Sequence, residues 1–200
     1  MGKRLLILLF CFVSILSSAQ DELLDSLTLV TYQEYTDLEE ALKNPNNVVK
    51  LTLRKKKYKT FPTQILELKN LQFLDLSKNA IKELPDSIVQ LKKLQFLLLS
   101  KNGLERLPVN FGNMGNLIYL NINQNDITNL PYSFGNLEKL QYLDMWSNNL
   151  DFMPENFNSL KNLKWLDMRS ILISKSVQDN FYNTFPNARI YFSPPCNCGS

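Results

Sequence analysis

Hydrophobic and polar residues follow a fixed pattern along this chain, with a period of 23 residues. From Leu68 the pattern returns four times, as LKNLQFLDLSKNAIKELPDSIVQ, LKKLQFLLLSKNGLERLPVNFGN, MGNLIYLNINQNDITNLPYSFGN and LEKLQYLDMWSNNLDFMPENFNS. A fainter copy, PNNVVKLTLRKKKYKTFPTQILE, begins at Pro45, and a sixth copy begins at Leu160 and keeps the pattern only to Ile173. A period of about 20–29 residues is typical of solenoids, in which each unit buries its apolar face against its neighbours.

Each copy predicts one short strand followed by a return segment. Two apolar residues separated by one position point to the same face of a strand, so they face the core. The pairs are Leu51/Leu53, Leu74/Leu76, Leu97/Leu99, Leu120/Ile122, Leu143/Met145 and Leu166/Met168. A Leu-Pro or Met-Pro step follows in the four clear copies, and proline fixes φ, so the return segment begins in extended or turn geometry. One apolar residue then anchors each return segment to the core: Ile65, Ile88, Phe111, Phe134 and Phe157.

An asparagine recurs at the turn that leaves each strand. The four positions are Asn79, Asn102, Asn125 and Asn148. An amide side chain both donates and accepts hydrogen bonds, so a buried stack of asparagines satisfies backbone groups where the chain turns. We therefore expect a structural asparagine ladder. The terminal copies carry Lys56 and Ile171 at this position instead, and end repeats commonly depart from the consensus in this way.

The motif L-x-x-L-x-L-x-x-N-x-L, followed by L-P-x-x-I/F, resembles the leucine-rich repeat family in its 23-residue class. The resemblance implies an α/β fold, a short right-handed horseshoe-shaped solenoid with a parallel sheet on its concave face and a cap at each end. It also implies a non-catalytic module for protein–protein interaction that needs no cofactor. Similar L-P-type repeats occur in intracellular signalling scaffolds, which is the alternative role.

Both ends of the solenoid are predicted to be closed, since open ends would expose apolar surface. At the N-terminal end, residues 36–39 read as a capping box that opens a short helix, and residues 20–35 are expected to be loosely ordered. At the C-terminal end, Ser176 is expected to cap a helix that a strand follows, which resembles the cap of related bacterial repeat proteins. The predicted division is a leader (1–19), an N-terminal segment with helical cap (20–44), repeats (45–173), a C-terminal helix–strand cap (174–193) and a Cys-x-Cys tail (194–200).

The N-terminus predicts export. Lys3 and Arg4 precede an apolar run at residues 5–16, and small residues at 17–19 supply a cleavage site after Ala19. Twelve apolar residues rise about 18 Å as a helix, against a hydrocarbon core of about 30 Å, so we expect no membrane span after cleavage. The predicted location is secreted or periplasmic, with the cytoplasm as the alternative.

Composition narrows the chemistry. The chain has no histidine, which excludes imidazole catalysis and the commonest zinc sites. Its net charge is +3, and removing the leader leaves +1, so nucleic acid is not an expected partner. Cys196 and Cys198 lack further metal ligands, so no metal site is expected. They could form a strained disulfide, link to another chain or remain thiols.

The residues beside the core pairs form the candidate binding surface on the concave face. One column holds Lys50, Phe73, Phe96, Tyr119, Tyr142 and Trp165, a ladder about 24 Å long at a strand spacing of about 4.8 Å. Such a ladder can bind protein or stack on sugars, and it can equally serve cross-strand packing. Trp146 differs, because the same position elsewhere holds Arg54, Ser77, Ser100, Asn123 and Arg169, so the core does not require a tryptophan there.

We therefore predict a monomer that binds a protein ligand, with carbohydrate or cell-surface ligands as the alternative. The predicted partner-binding residues are Tyr119, Tyr142, Asp144, Trp146, Trp165, Asp167 and Arg169. Asp144 and Asp167 on adjacent strands approach the spacing of about 5 Å found in retaining glycosidases. Aspartate is common at this position of the repeat, however, and an open sheet does not enclose a substrate, so no catalytic residue is predicted. A hydrolase built on the pair is the remaining alternative.

Basic residues are concentrated in the first three copies. Lys50, Arg54, Lys55, Lys78 and Lys101 form a possible basic lip. One interpretation is a solvated end that keeps the terminal strand from pairing with another chain. The other is a surface that attracts a partner with an acidic surface.

Overall fold

The computed structural model describes residues 23–194. The predicted leader and both tail cysteines lie outside the described residues. Within these bounds, no helix combines the length and the apolar character that a membrane span requires.

A single sheet of eight parallel strands, ordered as they occur in the chain, forms the framework. The strands are β1 (Glu34–Tyr35), β2 (Lys50–Thr52), β3 (Phe73–Asp75), β4 (Phe96–Leu98), β5 (Tyr119–Asn121), β6 (Tyr142–Asp144), β7 (Trp165–Met168) and β8 (Arg189–Phe192). From β2 to β7 each residue pairs with the residue 23 positions later, as Leu74 does with Leu97. The predicted α/β solenoid is confirmed.

The return segments are short 3₁₀ helices. They span Pro45–Asn47, Thr63–Glu67, Asp86–Gln90, Phe111–Asn113, Tyr132–Asn136 and Glu155–Ser159. Prolines at 62, 85, 131 and 154 stand in extended conformation immediately before four of them. Phe111, Phe134 and Phe157 are buried and stack in parallel, with ring centroids 6.2 and 6.0 Å apart. Aromatic stacking therefore continues the core beneath the convex side.

The four asparagines repeat one set of hydrogen bonds. Each side-chain Nδ2 donates to a carbonyl of its own repeat and to one of the preceding repeat. Each Oδ1 accepts from the backbone N–H of the preceding repeat, at Tyr58, Ile81, Leu104 and Ile127. The ladder thus connects neighbouring repeats where the backbone leaves the sheet.

Residues 23–35 form a short helix and a strand and make long-range hydrogen bonds, whereas residues 20–35 were expected to be loosely ordered. Helix α1 (Ser26–Thr31) begins after Asp25, whose carboxylate accepts hydrogen bonds from the N–H groups of Leu27 and Thr28. Before it, the Leu24 N–H donates to Gln72 Oε1 at 2.8 Å, and Gln95 Nε2 donates to the Leu24 carbonyl at 2.8 Å. These partners lie 48 and 71 residues away, so a local pattern could not reveal them. The correction applies to residues 23–35.

Both predicted helix caps shift by one or two residues. Helix α2 (Leu38–Leu42) begins after Asp37, which accepts the Glu40 N–H at 3.0 Å, so Thr36 is not the cap. Helix α3 (Lys175–Thr184) begins after Ser174, and Ser176 lies inside it.

Helix α3 closes the C-terminal end of the core. Phe181 and Phe185 approach the ring of Phe157 edge-on, with centroids 5.5 and 5.9 Å apart. Strand β8 then pairs with β7, so the last repeat is covered on the side where another repeat would stack.

Candidate functional site

The register places the predicted aromatic column in one row across the sheet. Ring centroids of Phe73, Phe96, Tyr119 and Tyr142 follow one another at intervals of 6.2 Å. The rings are half-buried except for Tyr142, which is 39% exposed. The ladder therefore packs along its length and also presents ring surface to solvent.

The two ends of the ladder differ in character. Lys50 Nζ lies 5.3 Å from the Phe73 ring centroid and 3.8 Å from Glu34 Oε2, so the charge of Lys50 is engaged within the N-terminal cap. At the other end, Trp165 packs on Tyr191 with centroids 4.5 Å apart. Trp165 is thus a structural contact of the C-terminal cap as well as part of the exposed row.

Asp167 and Arg169 form an ion pair with several hydrogen bonds. Arg169 Nε and Nη2 donate to the Asp167 carboxylate at 2.6–3.1 Å, and the Arg169 N–H donates to it as well. The Asp167 side chain is 4% exposed and the Arg169 side chain is 56% exposed. The hydrogen bond and the charge of Asp167 raise the pKa of Arg169. Asp167 therefore acts on the surface through the guanidinium it orients, rather than as an open carboxylate.

Asp144 has a different environment from its neighbour. Its Oδ2 accepts from the amides of Asn121 at 3.2 Å and Asn123 at 2.7 Å. Its Oδ1 is buried and has no hydrogen-bond partner within residues 23–194. Burial raises the pKa of Asp144 above its ordinary value, and the charge of Asp167 adds to this, while the Asn123 amide opposes it.

Trp146 lies in the turn after β6, next to Tyr142 and Asp144. It is half-buried. Burial, with the charge of Asp144, also raises the pKa of Tyr119. The structure thus places Tyr119 on β5, Tyr142 and Asp144 on β6 and Trp146 immediately after β6. Arg169 follows β7, one strand away.

Four of the five predicted basic-lip residues lie together. Lys55, Lys78 and Lys101 occupy equivalent turn positions, with φ of 60°, 57° and 56°. The pKa of Lys78 is lowered by the positive charges of Arg54, Lys101 and Lys55. Lys50, the fifth residue, lies instead at the end of the aromatic column, where it pairs with Glu34.

An exposed apolar groove beside α3 escaped the sequence analysis. Its cavity measures about 540 Å³ and is lined in part by Phe152, Leu172 and Val177. Phe152 is 62% exposed and Leu172 80% exposed. A signal was present, because Phe152 stands where earlier repeats carry Glu83, Arg106 and Asn129. Among the described residues, no group of three or more Cys, Asp or Glu side chains could hold a metal ion.

Two sequence profiles match the chain. The profile described as leucine-rich repeat region covers residues 39–118, and the profile described as leucine rich repeat covers residues 108–150. Among curated proteins, none matches the sequence significantly.

Solved structures share the architecture. A leucine-rich repeat protein of Leptospira interrogans is 31% identical and superimposes with a TM-score of 0.64, covering 82% of this chain and 49% of its own. Internalin C2 of Listeria monocytogenes is 24% identical, with a TM-score of 0.63 over 79% of this chain and 66% of its own. This chain thus spans about half the length of the Leptospira protein. From its repeats, its parallel sheet and these matches, the chain belongs to the leucine-rich repeat family.

Proposed function

We propose that this protein is a non-catalytic module that binds another protein on the concave face, at the surface formed by Tyr119, Tyr142, Trp146, Asp144 and Arg169. Leucine-rich repeat proteins are generally interaction modules, which supports the general role. The observation that carries the specific site is Trp146, a partly exposed tryptophan where the repeat does not need one. Large rings held on a rigid sheet bury much area at little cost in conformational entropy.

The polar groups around Trp146 fit the rim of such a site. Arg169 is held in one orientation by Asp167, so its guanidinium loses little freedom when a partner approaches. Trp165 extends the ring surface by one strand. Asp144 and Asp167 each hold hydrogen bonds to neighbouring side chains on an open sheet, which supports a binding role over hydrolysis.

A carbohydrate ligand is the second candidate for the same surface. It is favoured by the exposed ring of Tyr142 beside the amides of Asn121 and Asn123, since sugars combine ring stacking with hydrogen bonds to amide groups. For either ligand, the predicted leader supports a role in the periplasm or outside the cell. That the protein acts as a monomer is part of the proposal.

The test compares Trp146→Ala with the wild-type protein as immobilised bait for a cell-envelope extract. A captured protein should be lost with Trp146→Ala, since removal of a central tryptophan costs about 2 kcal/mol or more of binding free energy, or about 30-fold in affinity. Phe152→Ala is the matched control, because it removes an exposed ring away from the concave face. Both variants should keep the thermal stability of the wild type within a few degrees.

Four outcomes contradict the proposal as stated. Undiminished capture by Trp146→Ala, or equal loss with Phe152→Ala, would place the binding surface elsewhere. Glycan binding by the wild type that disappears with Trp146→Ala, without any captured protein, would favour the carbohydrate ligand. Turnover of a glycoside that is lost with Asp144→Asn would establish hydrolysis instead.

A further inference from the structure

A row of three lysines lies along the edge where the strands end. Lys55, Lys78 and Lys101, the lysine row, each donate a backbone N–H to the carbonyl of the next repeat, at Ser77, Ser100 and Asn123. The donor–acceptor distances are 3.1, 2.8 and 3.0 Å, so these residues continue the hydrogen-bonded ladder of the sheet. Their Cα atoms are therefore spaced like strands, and the first and third lie about 9.6 Å apart.

The backbone conformation does not call for lysine at these positions. A positive φ favours glycine or asparagine, and lysine gains nothing there from its side chain. The later repeats hold uncharged residues in the same conformation, Gln124, Ser147 and Ser170. The fold therefore does not require the positive charge of the row, which is found only in the first three repeats.

The row is a surface of uncompensated positive charge. None of its lysines, nor the adjacent Arg54, forms an ion pair with an acidic residue between residues 23 and 194. The neighbouring cations lower the pKa of Lys78, which stands in the middle of the row. Like charges held this close favour the approach of an anionic ligand.

The spacing selects the form of that ligand. Acidic residues at i, i+3 and i+7 of an α-helix lie on one face and span about 10.5 Å, close to the 9.6 Å of the row. Residues i, i+2 and i+4 on one face of an extended strand span about 13 Å, which fits less well. We propose that the lysine row binds an α-helix of a protein partner through a face bearing acidic residues. The inference rests on the proposed function in one respect, that the ligand of the solenoid is a protein.

The test is an NMR titration of the ¹⁵N-labelled protein with a synthetic, alanine-rich helical peptide that carries glutamates at i, i+3 and i+7. The amide signals of Lys55, Lys78 and Lys101 should shift. The triple variant K55Q/K78Q/K101Q should bind about tenfold more weakly, the combined effect of three exposed ion pairs. The matched control K69Q/K92Q/K161Q removes the same charge in turns that precede the strands, and its affinity should stay within about twofold.

A second peptide of identical composition distributes its glutamates around the helix and should bind several-fold more weakly. Equal affinity for both peptides, equal loss in both triple variants, or no shift at about millimolar peptide overturns the inference. Tighter binding of the row to single-stranded DNA or to phosphatidylglycerol vesicles overturns it in favour of those ligands.

The two proposals fail independently. Trp146→Ala should leave peptide binding unchanged, because the peptide contacts only the row. If Trp146→Ala abolishes capture of the partner while the lysine triple variant captures it normally, the proposed function stands and this inference fails. If the row binds the helical peptide while Trp146→Ala captures the partner as well as the wild type does, the inference stands and the concave-face proposal fails.

Discussion

Replacing one member of the asparagine ladder tests how the repeats are joined. Asn125 is buried, and its Oδ1 is the hydrogen-bond acceptor of the Leu104 N–H at 3.1 Å. Its Nδ2 donates to the carbonyls of Leu99 and Ile122, but these also accept from Asn102 and Asn148. Asn125→Ala therefore leaves one group without any partner, the buried N–H of Leu104.

The magnitude follows from that count. A buried N–H without a partner costs about 1–3 kcal/mol. The space left by the amide adds about 1 kcal/mol, so Asn125→Ala should lower the free energy of unfolding by about 2–4 kcal/mol. Asn79→Ala should cost less, because Asn79 is only half-buried and water can reach the Tyr58 N–H it bonds.

Equilibrium urea unfolding, followed by far-ultraviolet circular dichroism, measures these differences. Asn129→Ala is the matched control, since its exposed amide bonds only to the Thr128 hydroxyl, and it should change stability by less than about 0.5 kcal/mol. If Asn125→Ala is as mild as Asn129→Ala, the ladder does not join the repeats energetically and the reasoning is wrong.

Three further predictions concern the core, the close contacts and the titration of the site. Phe134→Ala should lose about 3–5 kcal/mol in urea unfolding, because it opens the buried ring stack, whereas exposed Tyr132→Ala should lose little. Gly112→Ala should lower the free energy of unfolding by at least about 2 kcal/mol, because a Cβ at this position would lie 1.7 Å from the Ser133 carbonyl oxygen. Gly115→Ala is the control: a Cβ there would have nothing within 4 Å, so the stability should be unchanged or increased. Thermal unfolding of the two variants measures the difference. A raised pKa means that folded Asp144 binds a proton more readily than the unfolded chain, so wild-type stability falls as pH rises from 3.8 through the raised pKa. In urea unfolding, Asp144→Asn should therefore be as stable as the wild type at about pH 3 and more stable at neutral pH. A gain in stability confined to acid pH would contradict the assignment.

The features that recur in every repeat could be predicted from the sequence. The period of the leucines gives the strands, their register and the core, since each repeat contacts its neighbours in the same way. The aromatic column follows from that register alone. The helix caps were harder to predict, because Ser174 and Ser176, two positions apart, are chemically equivalent candidates and only the backbone conformation decides between them.

Features outside the repeat could not be predicted in the same way. The N-terminal segment is held by Gln72 and Gln95, whose hydrogen bonds to Leu24 depend on tertiary placement. Within the site, both aspartates occupy the same repeat position, yet Asp167 receives a guanidinium and Asp144 receives amides. The difference comes from which side chain follows two residues later, or stands on the adjacent strand, and from burial that only the folded chain defines.

The uniform register also has a consequence for how such a protein can change over generations. Hydrogen bonds of the asparagine ladder connect residues 21 or 26 positions apart, and the paired residues of neighbouring strands are 23 positions apart, so each repeat depends on its immediate neighbours. Duplication or loss of one 23-residue unit in the middle recreates the same junction and leaves both caps intact. Each added unit would lengthen the sheet by one strand, about 4.8 Å, and add one row of outward-facing side chains. The reach of the binding surface can therefore evolve in discrete steps, while its chemistry evolves separately through substitutions at the outward positions.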